Sequence, residues 1–461
     1  MVVHLPELLK VKMMERNQNK DVMFQCGLTP HLSGRLWQQY IVYAFTVVER
    51  YCLEWIKRNQ KIIRSDLYNS ICDSLRKGDS DTTCQGKNII LPATFTGSRR
   101  YMSWYFKDSL AICYSIGHPS FFLTMTYNTK WPEIQSMLQH MSGVNVADAL
   151  DLVARVFKMK LDQLVDLIKN QNYFGRCTGL MYVIEFQKRG LPQAHMLIWI
   201  HLVDRPNTIE QIDDLVCAEI PHKETDPTRY NAVKNYMIHW PFGQDFSYSP
   251  CMSDGKCGPY FPKRYNGHTF FDDCGFPVYR RRMMDMIVEK NKQQLDNQFI
   301  VPYNRDLLLR FQCHVNLEIC NNSRSLKYLF KYCLKGHDTA TMMIRRKEGL
   351  PLNLEKGKTI DEVRHFLDGR YVCASEAAWR LLGYDIHYRY PSVERLPDHV
   401  EGGKNVTFNV NDTLEEVANK ASNRKSKLEA WFVANKTIPG ARDYTYQEFP
   451  RGFTWLHGQS K

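Results

Sequence analysis

The stretch "EFQKRGLPQAHMLIWI", Glu185 to Ile200, decides how this chain is read. Its second half is apolar enough for a buried strand, yet it carries Gln193 and His195 at period-two spacing, which puts both side chains on one face. The apolar run "GLMYVIEF" precedes it and "KRGLP" marks a turn, so the two runs read as an antiparallel hairpin. With Arg189-Gly190-Leu191 as the loop, Glu185 lies opposite His195 and Gln187 opposite Gln193. A carboxylate, an imidazole and an amide oxygen gathered on one face can hold a divalent cation. The same polar pair also reads as hydrogen-bonded core, since a buried polar group needs only partners. A register slip by one would carry Glu185 to the opposite face and remove the cluster.

Outward from the hairpin, "SFFLTMTYN" (120–128) and "LLLRFQCHVNLEI" (307–319) are further strand candidates. Residues 31–76 and Trp131 to about Asn170 show helical spacing of apolar residues. Strands interleaved with helices, two of them joined by a hairpin, predict an α+β fold: a mostly antiparallel central sheet with flanking helices. Residues 1–100 read as a helical N-terminal region and 101–340 as the sheet domain. Within that domain, 204–300 is rich in Pro, Gly, Cys and aromatics and reads as an insertion of short elements. Residues 341–461 are more polar and read as a C-terminal extension.

The chain has 461 residues, 44% hydrophobic and 24% charged, which is globular composition and predicts roughly two to four domains. No apolar run reaches the ~18 residues of a membrane span. The first residues, "MVVHLPELLKVKMMERNQNK", lack the apolar core of a signal peptide, so an intracellular protein is expected. Lys and Arg number 61 against 49 Asp and Glu, a net charge of +12. That balance favours a polyanionic partner, nucleic acid before an anionic membrane. The 14 cysteines include no Cys-x-x-Cys and read as reduced thiols. In "CMSDGKCGPYFPKRYNGHTFFDDC", Cys251, Cys257, His268 and Cys274 are candidate ligands of a structural Zn²⁺, although the spacing is not that of a common zinc module.

A second chemical element is the helix predicted for "SRSLKYLFKYCLKG", capped by Ser323 and ended by Gly336. Leu326, Leu329, Phe330, Cys333 and Leu334 form its apolar arc. Tyr328 and Tyr332 fall on the other side, one above the other, among Arg324, Lys327, Lys331 and Lys335. Two amphipathic surface tyrosines would look the same.

These segments resemble the replication-initiator region of Helitron transposases, the "Helitron helicase-like" family, a branch of the two-tyrosine HUH rolling-circle nucleases. The resemblance rests on "FFLTMTYNTKWPEI", "EFQKRGLPQAHMLIW", "CMSDGKCGPYFPKRY" and "GFPVYRRR". It continues in "VPYNRDLLLRFQCHVNLEICNNSRSLKYLFKYCLKGHD" and "DGRYVCASEAAWRLLGYDIHYRYPSVERLPDHV", in that order from about Leu36 to Phe408. It implies an HUH-endonuclease-like sheet holding Mg²⁺ or Mn²⁺, with the tyrosine helix beside it. It further implies single-stranded DNA nicking and strand transfer at transposon ends, and a nuclear location. By the same resemblance Tyr328 and Tyr332 match the nucleophiles. His195 matches the second His of the His-hydrophobic-His motif, and Glu185 is the neighbouring ligand. Thr124, Thr126 and Asn128 lie in the first conserved strand motif, structural or DNA-facing. Arg280, Arg281 and Arg282, with Arg324, Lys327, Lys331 and Lys335, are candidate DNA contacts.

One departure bears on activity: Gln193 stands where the family has His. An amide oxygen is the weaker ligand, so lower metal affinity is expected, and a catalytically weakened or dead DNA-binding remnant is the alternative reading. ATP binding is not expected, because in "LNLEKGKT" Leu352 occupies the first glycine position of a P-loop. The helicase that follows this region in intact family members is not recognisable, so a fragment, a truncated copy or an isolated domain is expected.

Overall fold

Five antiparallel strands form the central sheet of the computed structural model, in the order β4-β1-β3-β2-β5. They are β1 (Phe121–Thr126), β2 (Cys177–Phe186), β3 (Pro192–Ile200), β4 (Val315–Ile319) and β5 (His387–Tyr390). The structure describes residues 33–60, 65–67, 89–141, 143–186, 190–243, 246, 248–249, 251–290, 292–320, 362–401, 403–407 and 412–455. With its helices this is an α+β fold.

Strand alternation divides the sheet into two faces. Phe121, Leu123 and Met125 of β1, Leu180, Tyr182 and Ile184 of β2, and Ala194, Met196 and Ile198 of β3 are buried in one core. Val315, Leu317 and Ile319 of β4 extend it. The same core holds Leu152, Val153, Val156, Phe157, Leu161, Leu164 and Ile168 of helix α1 (Leu150–Lys169). Their i, i+3, i+4 spacing makes a broad apolar stripe on that helix. Phe157, Leu161 and Leu164 are fully buried, each contributing about 1.5–3 kcal/mol of hydrophobic stabilisation. Trp379, on helix α3 (Ala374–Leu381), packs edge-on against Phe186 and Tyr384 and completes the core.

The 307–319 segment is not one strand. Arg305–Phe311 forms helix α2, capped by the Asn304 side chain accepting from Leu307 N–H and closed by Gln312 in the left-handed conformation (φ 45). Only Val315–Ile319 is extended, because Leu307, Leu308 and Phe311 need helical spacing to reach the interior together. The fifth strand, β5, was not apparent as a strand in the sequence. It pairs with β2, His387 opposite Val183 and Tyr390 opposite Leu180.

Two compact units divide the chain. One takes residues 1–47, 105–338 and 372–392, including the sheet; the other takes 48–104, 339–371 and 393–461. In the second, Leu53, Ile56, Leu91, Phe95 and Val363 form a small core. Arg370 pairs with buried Glu49, and Arg100 with Glu362 at 2.9 Å. Capping boxes start its helices at Thr413/Glu416 and Ser426/Glu429. Within 31–76 the expected helix is present over Arg35–Arg58, whereas Ser65–Leu67 is extended and pairs with Asn405–Thr407. No helix among the described residues is long and apolar enough to cross a membrane.

Candidate metal-binding face of the sheet

The hairpin β2–β3 supplies the polar face. Its last pair is Phe186 with Pro192, so the connection takes in residues 187–191, longer than the loop expected. Consequently Glu185 pairs with Gln193, and His195 pairs with Val183; the expected Glu185–His195 pairing is not formed. The displacement is an even number of residues and leaves side-chain parity unchanged. Glu185, Gln193 and His195 therefore share the face opposite the α1 core. Gly190 adopts φ +79 in this connection, and a Cβ there would meet the Cys373 side chain at 3.3 Å. A side chain at this position would be strained on both counts.

β1 flanks β3 on the other side, pairing Thr124 with His195 and Thr126 with Gln193. His195 is buried and held at both ring nitrogens. Its Nδ1 lies 3.1 Å from Thr124 Oγ1, and its Nε2 lies 3.2 Å from Glu185 Oε2, diagonally across the strand pair. Phe122 stacks on the imidazole. Glu185 is partly exposed at the rim, its side chain 22% accessible against 6% for His195. The arrangement thus has a buried nitrogen ligand beneath a carboxylate that reaches solvent. Two oxygen donors and one imidazole are the donor types that suit a hard or borderline divalent ion. Thr124 holds the ring orientation, the usual part of an outer hydrogen-bond partner.

The end of the sheet nearest this cluster is tied down by side chains. Asn128 Nδ2 donates to Gln312 O at 2.6 Å and to Tyr236 Oη at 3.2 Å. His314 Nδ1 lies 2.8 Å from Tyr236 O. Desolvation and the nearby His195 hold the His314 pKa below its ordinary value, against the opposing effect of that carbonyl. Asn128 is accordingly structural, and Thr124 serves the histidine.

The other sequence-designated residues divide clearly. Arg281 is buried, and its guanidinium donates to the carbonyls of Asn297 at 2.7 Å and Ile300 at 2.6 Å. A side chain whose donors end on interior carbonyls does not track a DNA backbone, so Arg281 belongs to the fold. Arg282 forms a forked pair with Glu219 (2.9 and 2.6 Å), and Arg280 lies 3.2 Å from Asp213. Tyr328, Tyr332, Arg324, Lys327, Lys331 and Lys335 lie outside the described residues. Of the cysteine cluster, Cys251 and Cys257 come together, but the third ligand beside them is His239, which the sequence reading passed over. His268 instead packs by its ring against Phe270, and the Cys274 backbone N–H closes a turn onto Asp272.

The model of the Helitron helicase-like domain at the N-terminus matches residues 13–198. No curated protein matches the chain. The matched segment contains β1, β2 and most of β3, and with them every residue of the polar cluster. Residues 13–198, Glu185, Gln193 and His195 included, are thus similar to the Helitron helicase-like domain.

Proposed function

We propose that this chain is the nicking component of a Helitron-type transposon, an HUH-like nuclease that cuts and rejoins single-stranded DNA through a 5′-phosphotyrosine. The observation that carries the reading is the convergence of Glu185, Gln193 and His195 on one sheet face, with Thr124 fixing the imidazole. His195 Nε2 and Glu185 Oε2 both address the same point, and a cation there would replace the proton they share. The donor set fits Mg²⁺ or Mn²⁺, which when bound neutralises charge developing on the scissile phosphate.

The remaining chemistry belongs to the protein. A phenol at Tyr328 or Tyr332 loses its proton and its oxygen attacks phosphorus. The bond to the 3′ oxygen breaks, and that oxygen leaves as a hydroxyl. The phosphate stays on tyrosine as an ester, so the free 3′-OH can later reverse the step without ATP. Tyrosine has a pKa of about 10, so a cationic setting such as that of Lys331 and Lys335 favours the reactive phenolate. With two tyrosines, one strand can be held while another is cut. The basic balance of the chain supports a single-stranded DNA partner, with stacking on its aromatics. A nuclear location follows from that substrate.

Gln193 favours a second reading. A neutral amide where a second imidazole would strengthen the site weakens metal binding, and a remnant that binds DNA without cutting it would keep the same sheet. A nicking assay on single-stranded oligonucleotides distinguishes the two. The nuclease reading expects a covalent protein–DNA adduct with Mn²⁺ and none with EDTA. DNA binding without an adduct at any Mn²⁺ concentration leaves only the remnant.

A further inference from the structure

Outside the sheet face, one cluster has the chemistry of a metal site. The ligand atoms of His239, Cys251 and Cys257 all lie within 4.8 Å of one another. They are brought together by local structure. Met252 pairs with Cys257 and Ser253 with Lys256 around Asp254-Gly255, both with positive φ (51 and 75). This is a tight hairpin of the Asp-Gly type, which returns the chain beside its start. Gly258 N–H donates to Cys251 O at 2.7 Å, closing the loop below the two sulfurs.

His239 arrives from elsewhere in the fold. Its backbone N–H donates to Phe299 O at 2.9 Å, and its ring packs against Phe261 (centroids 4.4 Å apart) and Phe242 (5.2 Å). Its Nε2 is 3.3 Å from Cys257 Sγ. With the Cys257 thiol as donor, Nε2 would present its lone pair toward the sulfurs and Nδ1 would carry the proton. A metal ligand at Nε2 needs that tautomer.

We infer that His239 Nε2, Cys251 Sγ and Cys257 Sγ form a zinc site that clamps the hairpin to the segment ending at His239. Two thiolates and one imidazole select a soft or borderline ion, and Zn²⁺ takes such donors in tetrahedral geometry. Among the described residues no fourth His, Cys, Asp or Glu joins the group. Binding displaces both thiol protons, and two thiolates neutralise the charge of the ion. The clamp has a structural consequence for the sheet. The segment it anchors contains Tyr236, whose carbonyl and hydroxyl meet His314 and Asn128. Zinc therefore steadies the end of the sheet at which Gln193 and Glu185 lie. The inference stands on its own ligands and does not depend on nicking.

The test uses the full chain purified under reducing conditions. Metal analysis should find about one zinc per chain. Cys251 and Cys257 should resist alkylation, read by peptide mass spectrometry, until a chelator is added. Co²⁺ replacing the zinc should give a thiolate-to-metal charge-transfer band with tetrahedral intensity. Cys251→Ser and His239→Ala should lose the metal, while His268→Ala and Cys274→Ser keep it. If the first two variants fail to fold, the alkylation pattern of the unaltered chain decides. Cys251 and Cys257 alkylated equally with and without chelator, a disulfide between them, or zinc retained in Cys251→Ser would each overturn the assignment.

Discussion

His195 Nε2 lies 3.2 Å from Glu185 Oε2, across a strand pair in which neither is the other's direct partner. The diagonal contact places a buried ring nitrogen under a solvent-facing carboxylate, with Thr124 behind the ring at 3.1 Å. In the absence of a cation a proton bridges the two groups. Metal binding therefore competes with that proton, and affinity should rise with pH across the range in which the proton is lost. Isothermal titration with Mn²⁺ at several pH values checks this; affinity that is flat or falls with pH would exclude the shared site.

Thr124→Val should keep the sheet, because the side-chain shape is nearly conserved, and remove the hydrogen bond that orients His195. Mn²⁺ affinity should fall roughly 10–100-fold, the usual effect of losing such an outer partner. Circular dichroism should be unchanged. Unaltered affinity would mean that Thr124 only fills space.

Gln193→His should strengthen Mn²⁺ binding, since imidazole nitrogen binds this ion better than a neutral amide oxygen. The position already faces Glu185 and Thr126. The gain in nicking should be largest at low metal and vanish near saturation. Equal nicking by both proteins at every Mn²⁺ concentration would show that Gln193 is not a ligand.

Glu219 offers a stability test away from the site. Burial alone would raise its pKa, but hydrogen bonds and charge from Arg282, with Arg280, outweigh it and hold the carboxyl below its ordinary value. Its folded pKa is depressed, so the stabilisation is present above the unfolded carboxylate pKa and is lost as pH falls through the folded one. Glu219→Gln should cost about 2 kcal/mol at neutral pH, less than a fully buried pair because Arg282 is half exposed. Denaturant melts of the two proteins should converge in acid. A difference that persists below the carboxylate range would refute the ion-pair origin.

The site was legible where periodicity alone decided it. Alternation put Glu185, Gln193 and His195 on one face, and an even displacement of register did not disturb that face. What alternation could not show was which residues are opposite, since this depends on the length of the connection after Phe186. The tendency of "LLLRFQCHVNLEI" to form a strand was misjudged because Leu307, Leu309 and Phe311 alternate as in a strand, while Leu307, Leu308 and Phe311 have the helical spacing that the fold uses. Arg281 looked like one of three surface cations, and only the surrounding carbonyls of Asn297 and Ile300 reveal a buried guanidinium. His239 was missed because it reaches Cys251 and Cys257 through tertiary structure. The one available signal was its place among aromatics just before the first cysteine of the cluster.

The central claim is that the Glu185–His195 face serves a tyrosine nucleophile, and the most direct measurement is the identity of the residue that captures DNA. Protein incubated with a single-stranded oligonucleotide and Mn²⁺ should be digested and searched by mass spectrometry for a nucleotide-modified peptide. The account predicts the modification on Tyr328 or Tyr332. It should disappear in Glu185→Ala and His195→Ala and in the Tyr328→Phe, Tyr332→Phe double variant, all of which should remain folded. A modified residue other than these tyrosines, or an adduct that survives loss of both Glu185 and His195, would contradict it.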